Sequence, residues 1–124
     1  MFIITKEDLT VGFAAIGPSS DDDASAGTGE LRAIYLHPCY WNRGLGRLLH
    51  DHALAALSND GHRCATLWVL RTNNRARRLY HRSGWLPDGT TKIDTIDSLV
   101  LEEVRYHRTL DAPALRVSPG GLRR

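Results

Sequence analysis

Arg43-Gly44-Leu45-Gly46-Arg47 is the stretch of this sequence with the clearest chemical use. The first backbone N–H groups of a helix have no internal partner and lie at the positive end of its dipole, so they attract anions. Glycines just before and inside a first turn remove the Cβ atoms that would keep a phosphate away. The amides of Asn42, Arg43, Gly44, Leu45, Gly46 and Arg47 can then converge on one pyrophosphate, with Arg43 and Arg47 adding positive charge. A Gly-x-Gly spacing also serves simply as a tight strand-to-helix connection. Two other phosphate motifs are excluded. No Lys-Ser/Thr follows the glycines, as a Walker loop requires, and Leu49 stands where a dinucleotide fingerprint has its third glycine.

The remaining reactive side chains form no such pattern. Cys39 and Cys64 have no base beside them in sequence and are too few for a disulfide framework, so reduced thiols are expected. His50-Asp51-His52 does not suit a metal, because helical residues one and two apart do not face together. His37, His62, His81 and His107 are scattered, and no metal site is expected.

The glycine turn needs a strand before it and a helix after it, and both are legible. Glu30 to Leu36 is rich in β-favouring residues and ends at His37-Pro38, where proline drives its predecessor out of helical geometry. From Leu45 onward Leu48, Leu49, Ala53, Ala56 and Leu57 recur at helical spacing, and Ser58-Asn59-Asp60-Gly61 closes the helix. Cys64 to Leu70 is a continuous apolar run, which predicts a strand buried on both faces. Strand, crossover helix and strand make a right-handed βαβ unit with parallel strands.

Upstream, Phe2–Thr5 and Thr10–Ile16 read as a hairpin joined by residues 6–9, and Gly17–Thr28 as a flexible loop whose Asp21, Asp22 and Asp23 face water, the reading preferred to one in which they attract a cationic substrate. Downstream, Thr72 or Asn73 caps a helix with Ala76, Leu79, Tyr80 and Ser83 on one side, ended by Gly84. Residues 85–96 give only the turn signal Pro87-Asp88-Gly89, and Leu99–Arg108 alternates as a final strand. The proline- and glycine-containing end, residues 110–124, reads as a disordered tail, which leaves one domain over residues 1–109.

At 124 residues with 42% apolar content the chain can bury a single small core, and a net charge of +2 argues for neither nucleic acid nor a membrane surface. No apolar run is long enough to span a bilayer, and the start Met1-Phe2-Ile3-Ile4 lacks the form of a signal peptide, so a cytoplasmic protein is expected. Only Lys6 and Lys92 are lysines among sixteen cationic residues, an arginine bias that points to a GC-rich bacterial genome.

Strand Glu30–Leu36, Pro38, Arg43-Gly44-Leu45-Gly46-Arg47-Leu48-Leu49, and Asn73-Asn74-Arg75-Ala76-Arg77-Arg78-Leu79-Tyr80-His81-Arg82-Ser83-Gly84-Trp85 together resemble the GNAT superfamily of acetyl-CoA-dependent N-acetyltransferases, over about residues 2–109. The resemblance implies an α+β, three-layer fold. Its sheet is mixed and mostly antiparallel, with a central parallel βαβ pair that splays to bind acetyl-CoA as co-substrate.

It also implies roles. The Asn42–Arg47 turn grips the pyrophosphate, and the pantetheine arm lies along Ile34, Tyr35 and Leu36 like an added strand. The Ile34 N–H meets the thioester carbonyl, a donation that needs no particular side chain. Tyr80 matches the tyrosine that protonates the departing thiolate. Glu30, thirteen positions before Arg43, matches a glutamate that serves as base, and Asn73 an asparagine that contacts the carrier as well as capping its helix. On a regular strand Glu30, Arg32 and Ile34 share a face, which lets Arg32 pair with Glu30 and weaken it as a base.

Two departures stand out. Trp41 occupies the position where the family has glutamine or arginine, and the strand and two helices that normally precede the strand matching Phe2–Thr5 have no counterpart here. The resemblance then implies an acceptor site left open or completed by a second copy in a homodimer. An amine-bearing small molecule or peptide is the expected acceptor. The alternative is a non-catalytic CoA-binding or sensor domain, or a truncated, inactive GNAT protein.

Overall fold

The computed structural model describes residues 1–110. The chain runs β1 (Phe2–Lys6), β2 (Leu9–Pro18), β3 (Thr28–Leu36), a 3₁₀ turn at Pro38–Tyr40, α1 (Leu45–Asn59), β4 (Cys64–Leu70), α2 (Asn74–Arg82), β5 (Leu86–Ile96) and β6 (Leu99–Thr109). Six strands form one open sheet in the order β1-β2-β3-β4-β6-β5. Only β3 and β4 are parallel, and the rest pair antiparallel. The two hairpins turn on Glu7-Asp8 and Asp97-Ser98, whose φ angles are all positive, the two-residue geometry that follows the twist of the flanking strands.

Both helices pack on one face of the sheet. Leu49, Ala53 and Leu57 of α1 and Tyr80 of α2 join Ala65, Leu67 and Val69 of β4, Trp85 and Tyr106 in a single core. Alternation along β4 turns Trp68 to the other face. No helix covers that face among the described residues, so Cys64, Thr66 and Trp68 are half-buried rather than enclosed as the apolar run predicts.

The acidic loop covers part of it. Asp23 chelates the Arg105 guanidinium through bonds of 2.7 and 2.8 Å, Asp21 meets it at 3.2 Å and Asp88 at 2.7 Å, while the Trp68 indole N–H donates to Asp21 Oδ1 at 3.1 Å. Two of the three aspartates read as solvated are thus tied to β6, and Asp22 alone stays exposed without such a bond. The hydrogen bond from Arg105 holds the Asp23 carboxyl below the usual carboxylate range.

Residues 86–96, nearly opaque in sequence, are one strand. Pro87-Asp88-Gly89 does not reverse the chain but marks a register shift against β6 between Pro87 and Thr91, with Gly89 at φ 86° and Thr90 N–H donating to Asp88 Oδ1. The expected tail at 110–124 lies outside the described residues except for Leu110, whose N–H donates to Arg63 O.

Candidate functional site

The parallel pair is short. β3 and β4 are in register only at Thr28–Cys64, Gly29–Ala65 and Glu30–Thr66, and beyond that the strands part. The opening is a cleft of about 870 Å³, lined by Leu31 to Leu36 on one side and by Trp68 to Leu70, Ala76, Leu79 and Tyr80 on the other.

Against β2, the register jumps from Ala15–Ala33 to Ile16–Leu31, which leaves Arg32 as a bulge. One extra residue breaks the two-residue alternation. Leu31 and Ile34, three apart, both pack on the core, so the shared face expected for Glu30, Arg32 and Ile34 does not form. Arg32 donates instead to Pro18 O at 2.8 Å, and Glu30 accepts from Ser20 N–H at 3.3 Å. No ion pair joins Glu30 to Arg32 among the described residues.

Past the bulge the backbone direction is fixed by one bond. His37 N–H donates to Val11 O of β2 at 2.8 Å, so by alternation the N–H groups of Ile34 and Leu36 point to the edge that β4 has vacated. The carbonyl of Leu36 faces the same way and accepts the Trp41 indole N–H at 2.8 Å. Arg75 stacks on Trp41, its guanidinium carbon 3.8 Å from the ring centroid, and reaches Asn42 Oδ1 at 3.4 Å.

At the mouth of α1, Gly44 is the N-cap with φ 78°, a left-handed conformation that disfavours a side chain, and no side chain caps the helix. The first bond back into the turn is Leu48 N–H to Gly44 O, which leaves the amides of Leu45, Gly46 and Arg47 unpaired within the helix. A Cβ on Gly46 would meet only Leu36 Cδ2, at 3.9 Å. Packing inside the chain does not demand glycine there, whereas close approach of an anion does.

The cleft brings together Ile34, Tyr35, Leu36, Asn42, Gly44, Gly46, Arg47, Asn73 and Tyr80 of the residues singled out from the sequence. It leaves out Glu30, Arg43 and Leu45. Arg43 lies over the Tyr40 ring, 5.3 Å from its centroid. Asn73 is the N-cap of α2, its Oδ1 accepting Ala76 N–H at 3.2 Å, and among the described residues no hydrogen bond uses its side-chain amide N–H groups. Tyr80 is 5% exposed, packed on Trp85 and Tyr106, and its hydroxyl has no hydrogen bond among the described residues. Burial pushes its pKa up to about 12, so it stays protonated across the physiological range.

Sequence reasoning missed Trp68 and Glu103, which line the same cleft from β4 and β6. The alternation of Leu101, Glu103 and Arg105 was visible, but nothing local told which side faced a cavity. Among the described residues no cluster of histidine, cysteine or carboxylate side chains is placed to hold a metal, and no helix is long and apolar enough to cross a membrane.

Comparison with known proteins agrees with this architecture. Over 62 residues the sequence is 44% identical to a mycothiol acetyltransferase of Beutenbergia cavernae, covering 50% of this chain and 21% of that protein, so the chain spans about a fifth of that relative. A Salmonella typhimurium protein assigned as an acetyltransferase and solved with its cofactor acetyl-CoA superposes with a TM-score of 0.74 at 21% identity, over 92% of this chain and 66% of the other. The ribosomal-protein-S18-alanine N-acetyltransferase of Escherichia coli superposes with a TM-score of 0.67 at 20% identity, over 92% and 70%. Both likenesses carry the fold alone, a mixed, open sheet with its helices. The sequence model of the Acetyltransferase (GNAT) family matches residues 1–85, and the chain belongs to that family.

Proposed function

We propose that the protein is an N-acetyltransferase that passes an acetyl group from acetyl-CoA directly to an amine, both bound at once. The observation that carries this reading is the line from the vacated edge of β3, past the unengaged Tyr80 hydroxyl, to the uncapped amides of α1. Acetyl-CoA supplies an activated acyl thioester. The α1 amides with Gly46 and Arg47 hold its diphosphate, and Asn73 contacts the arm. The N–H groups of Ile34 and Leu36 bond the arm as an edge strand would, and Ile34 N–H donates to the carbonyl oxygen as it turns negative. Glu30, at the last β3–β4 pair before the strands part, takes through intervening water the proton that the attacking amine gives up. Tyr80 O–H gives one to the departing sulfur.

A non-catalytic CoA-binding domain is the second reading, favoured by one observation: Glu30 is bonded to Ser20 and does not line the cleft. Calorimetric titration with CoA tests what the two readings share, and heat without saturation at millimolar ligand overturns both. Thioester consumption with a panel of polyamines, aminoglycosides and peptide amino termini separates them. Acetylated product establishes the enzyme, and tight CoA binding with no product from any amine favours the binding domain.

A further inference from the structure

The sheet face turned away from the helices has a cation seated on an aromatic ring. Lys92 Nζ of β5 lies 4.3 Å from the centroid of the Trp68 ring and 3.8 Å from Glu103 Oε1. Trp68 and Glu103 also line the cleft that holds Tyr80 and the vacated edge of β3, so the two side chains that meet Lys92 border that cleft as well.

The ring is fixed before anything binds. Its N–H is spent on Asp21 Oδ1, and Asp21 is itself held by Arg105. Arg105 lies 5.5 Å from the same ring centroid, but three carboxylates, Asp21, Asp23 and Asp88, answer that one guanidinium. The surroundings therefore carry an excess of negative charge, which favours a further cation on the ring. Lys92 fills that place only loosely. Its side chain is half exposed on a flexible stem, and 3.8 Å to Glu103 is too long for a hydrogen bond.

We infer that this is the acceptor's seat: an alkylammonium, the form in which a primary aliphatic amine arrives near neutral pH, rests on Trp68 against Glu103 in the position Lys92 Nζ holds, Lys92 swings out to solvent, and the ammonium gives one proton to water to free its lone pair before it can attack the thioester. The word acceptor rests on the acetyl-transfer reading, but the binding does not need the carrier. The consequence is selectivity for amines that are cationic and carried on a slim alkyl chain, which a planar or neutral nitrogen does not match.

The indole N–H resonance of Trp68, identified as the one missing from Trp68→Phe, reports the seat. Titrating the full chain with n-butylammonium should move that resonance to saturation, and 1-butanol, of the same length without charge, should leave it in place. Glu103→Gln should weaken n-butylammonium by about tenfold, and Lys92→Met, which keeps an apolar stem and removes the internal competitor, should tighten it. Equal responses to the alcohol and the cation overturn the inference, as does affinity unchanged in both variants. Calorimetry with CoA on the same samples keeps the two questions apart. CoA binding without the ammonium response defeats this seat alone, and the ammonium response without CoA binding defeats the acetyl-transfer reading alone.

Discussion

The indole N–H of Trp85 ends on His50 Nε2, 2.9 Å away, with both side chains shut off from solvent. This bond ties the middle of α1 to the segment leaving α2. Asp51 Oδ1, 2.9 Å from Nδ1, selects the tautomer in which Nδ1–H donates and Nε2 accepts. Burial lowers the His50 pKa against the opposing pull of Asp51.

A pH dependence follows with a definite sign. The folded state binds fewer protons at this histidine than the unfolded chain, so its contribution is complete above the ordinary histidine value of about 6.5 and declines as pH falls below it. Urea midpoints taken from about pH 8 to about pH 5 should fall, and His50→Gln should flatten that part of the curve. His50→Ala, which leaves the Trp85 N–H without an acceptor and opens a void, should cost about 2–4 kcal/mol.

Tyr80→Phe keeps the packed ring and removes only the hydroxyl, which no described residue engages. Stability and CoA affinity should stay near their starting values, while kcat falls by roughly 10²-fold. Steady-state kinetics alongside calorimetry would check the split, and an unchanged kcat would remove Tyr80 from the acid role. Because its pKa sits at about 12, the wild-type rate should show no alkaline fall assignable to this residue below that range.

The two glycines of the turn should separate stability from binding. Gly44 adopts φ 78°, so Gly44→Ala strains the backbone and should destabilise by about 1 kcal/mol. Gly46 lies in the first helical turn with open space beside it, so Gly46→Ala should leave stability unchanged or raise it by up to about 1 kcal/mol. The added methyl nevertheless stands before the free amides, and CoA affinity should drop. Chemical denaturation and calorimetry on the same pair of variants check both halves.

Arg105→Met removes the cation shared by Asp21, Asp23 and Asp88. Asp23 is held low chiefly by its hydrogen bond to Arg105. At Asp88 burial works upward, but the Thr90 amide and Arg105 outweigh it and leave that carboxyl lowered too. Groups with a depressed folded pKa stabilise above the ordinary carboxylate value of about 3.9 and lose that contribution as pH falls. The variant should melt lower near neutral pH and lose less on acidification, so Tm curves of the two proteins should converge toward acid pH.

Much of the fold was legible because it is written in local patterns. The bounds of Cys64–Leu70 follow from one apolar run, α1 from its leucine and alanine spacing, and α2 from Asn73 at one end and Gly84 at the other. What escaped is non-local. Arg105 lies more than eighty residues from Asp21 and Asp23, so the acidic loop looked solvated. A single bulge at Arg32 undid the facing argument for Glu30, and Pro87-Asp88-Gly89 gave a turn signal inside what is in fact one strand. In the cleft, the glycine turn was readable from spacing, while Tyr80 was singled out by the family resemblance and not by its helical spacing. Trp68 and Glu103 needed the sheet order, which brings β6 beside β4 only after the whole chain has folded.

The brevity of the β3–β4 pairing has a mechanical consequence. Three residue pairs join two ribbons, β1-β2-β3 and β4-β6-β5, at one end, so the sheet is hinged there and its free lips are held mainly by helices on one side. A strand-like ligand lodged between the lips acts as a clasp. Deuterium uptake at Ile34 and Leu36 should therefore be fast in the free protein and slow sharply when the clasp is in place, while the β4–β6 seam exchanges at the same rate throughout.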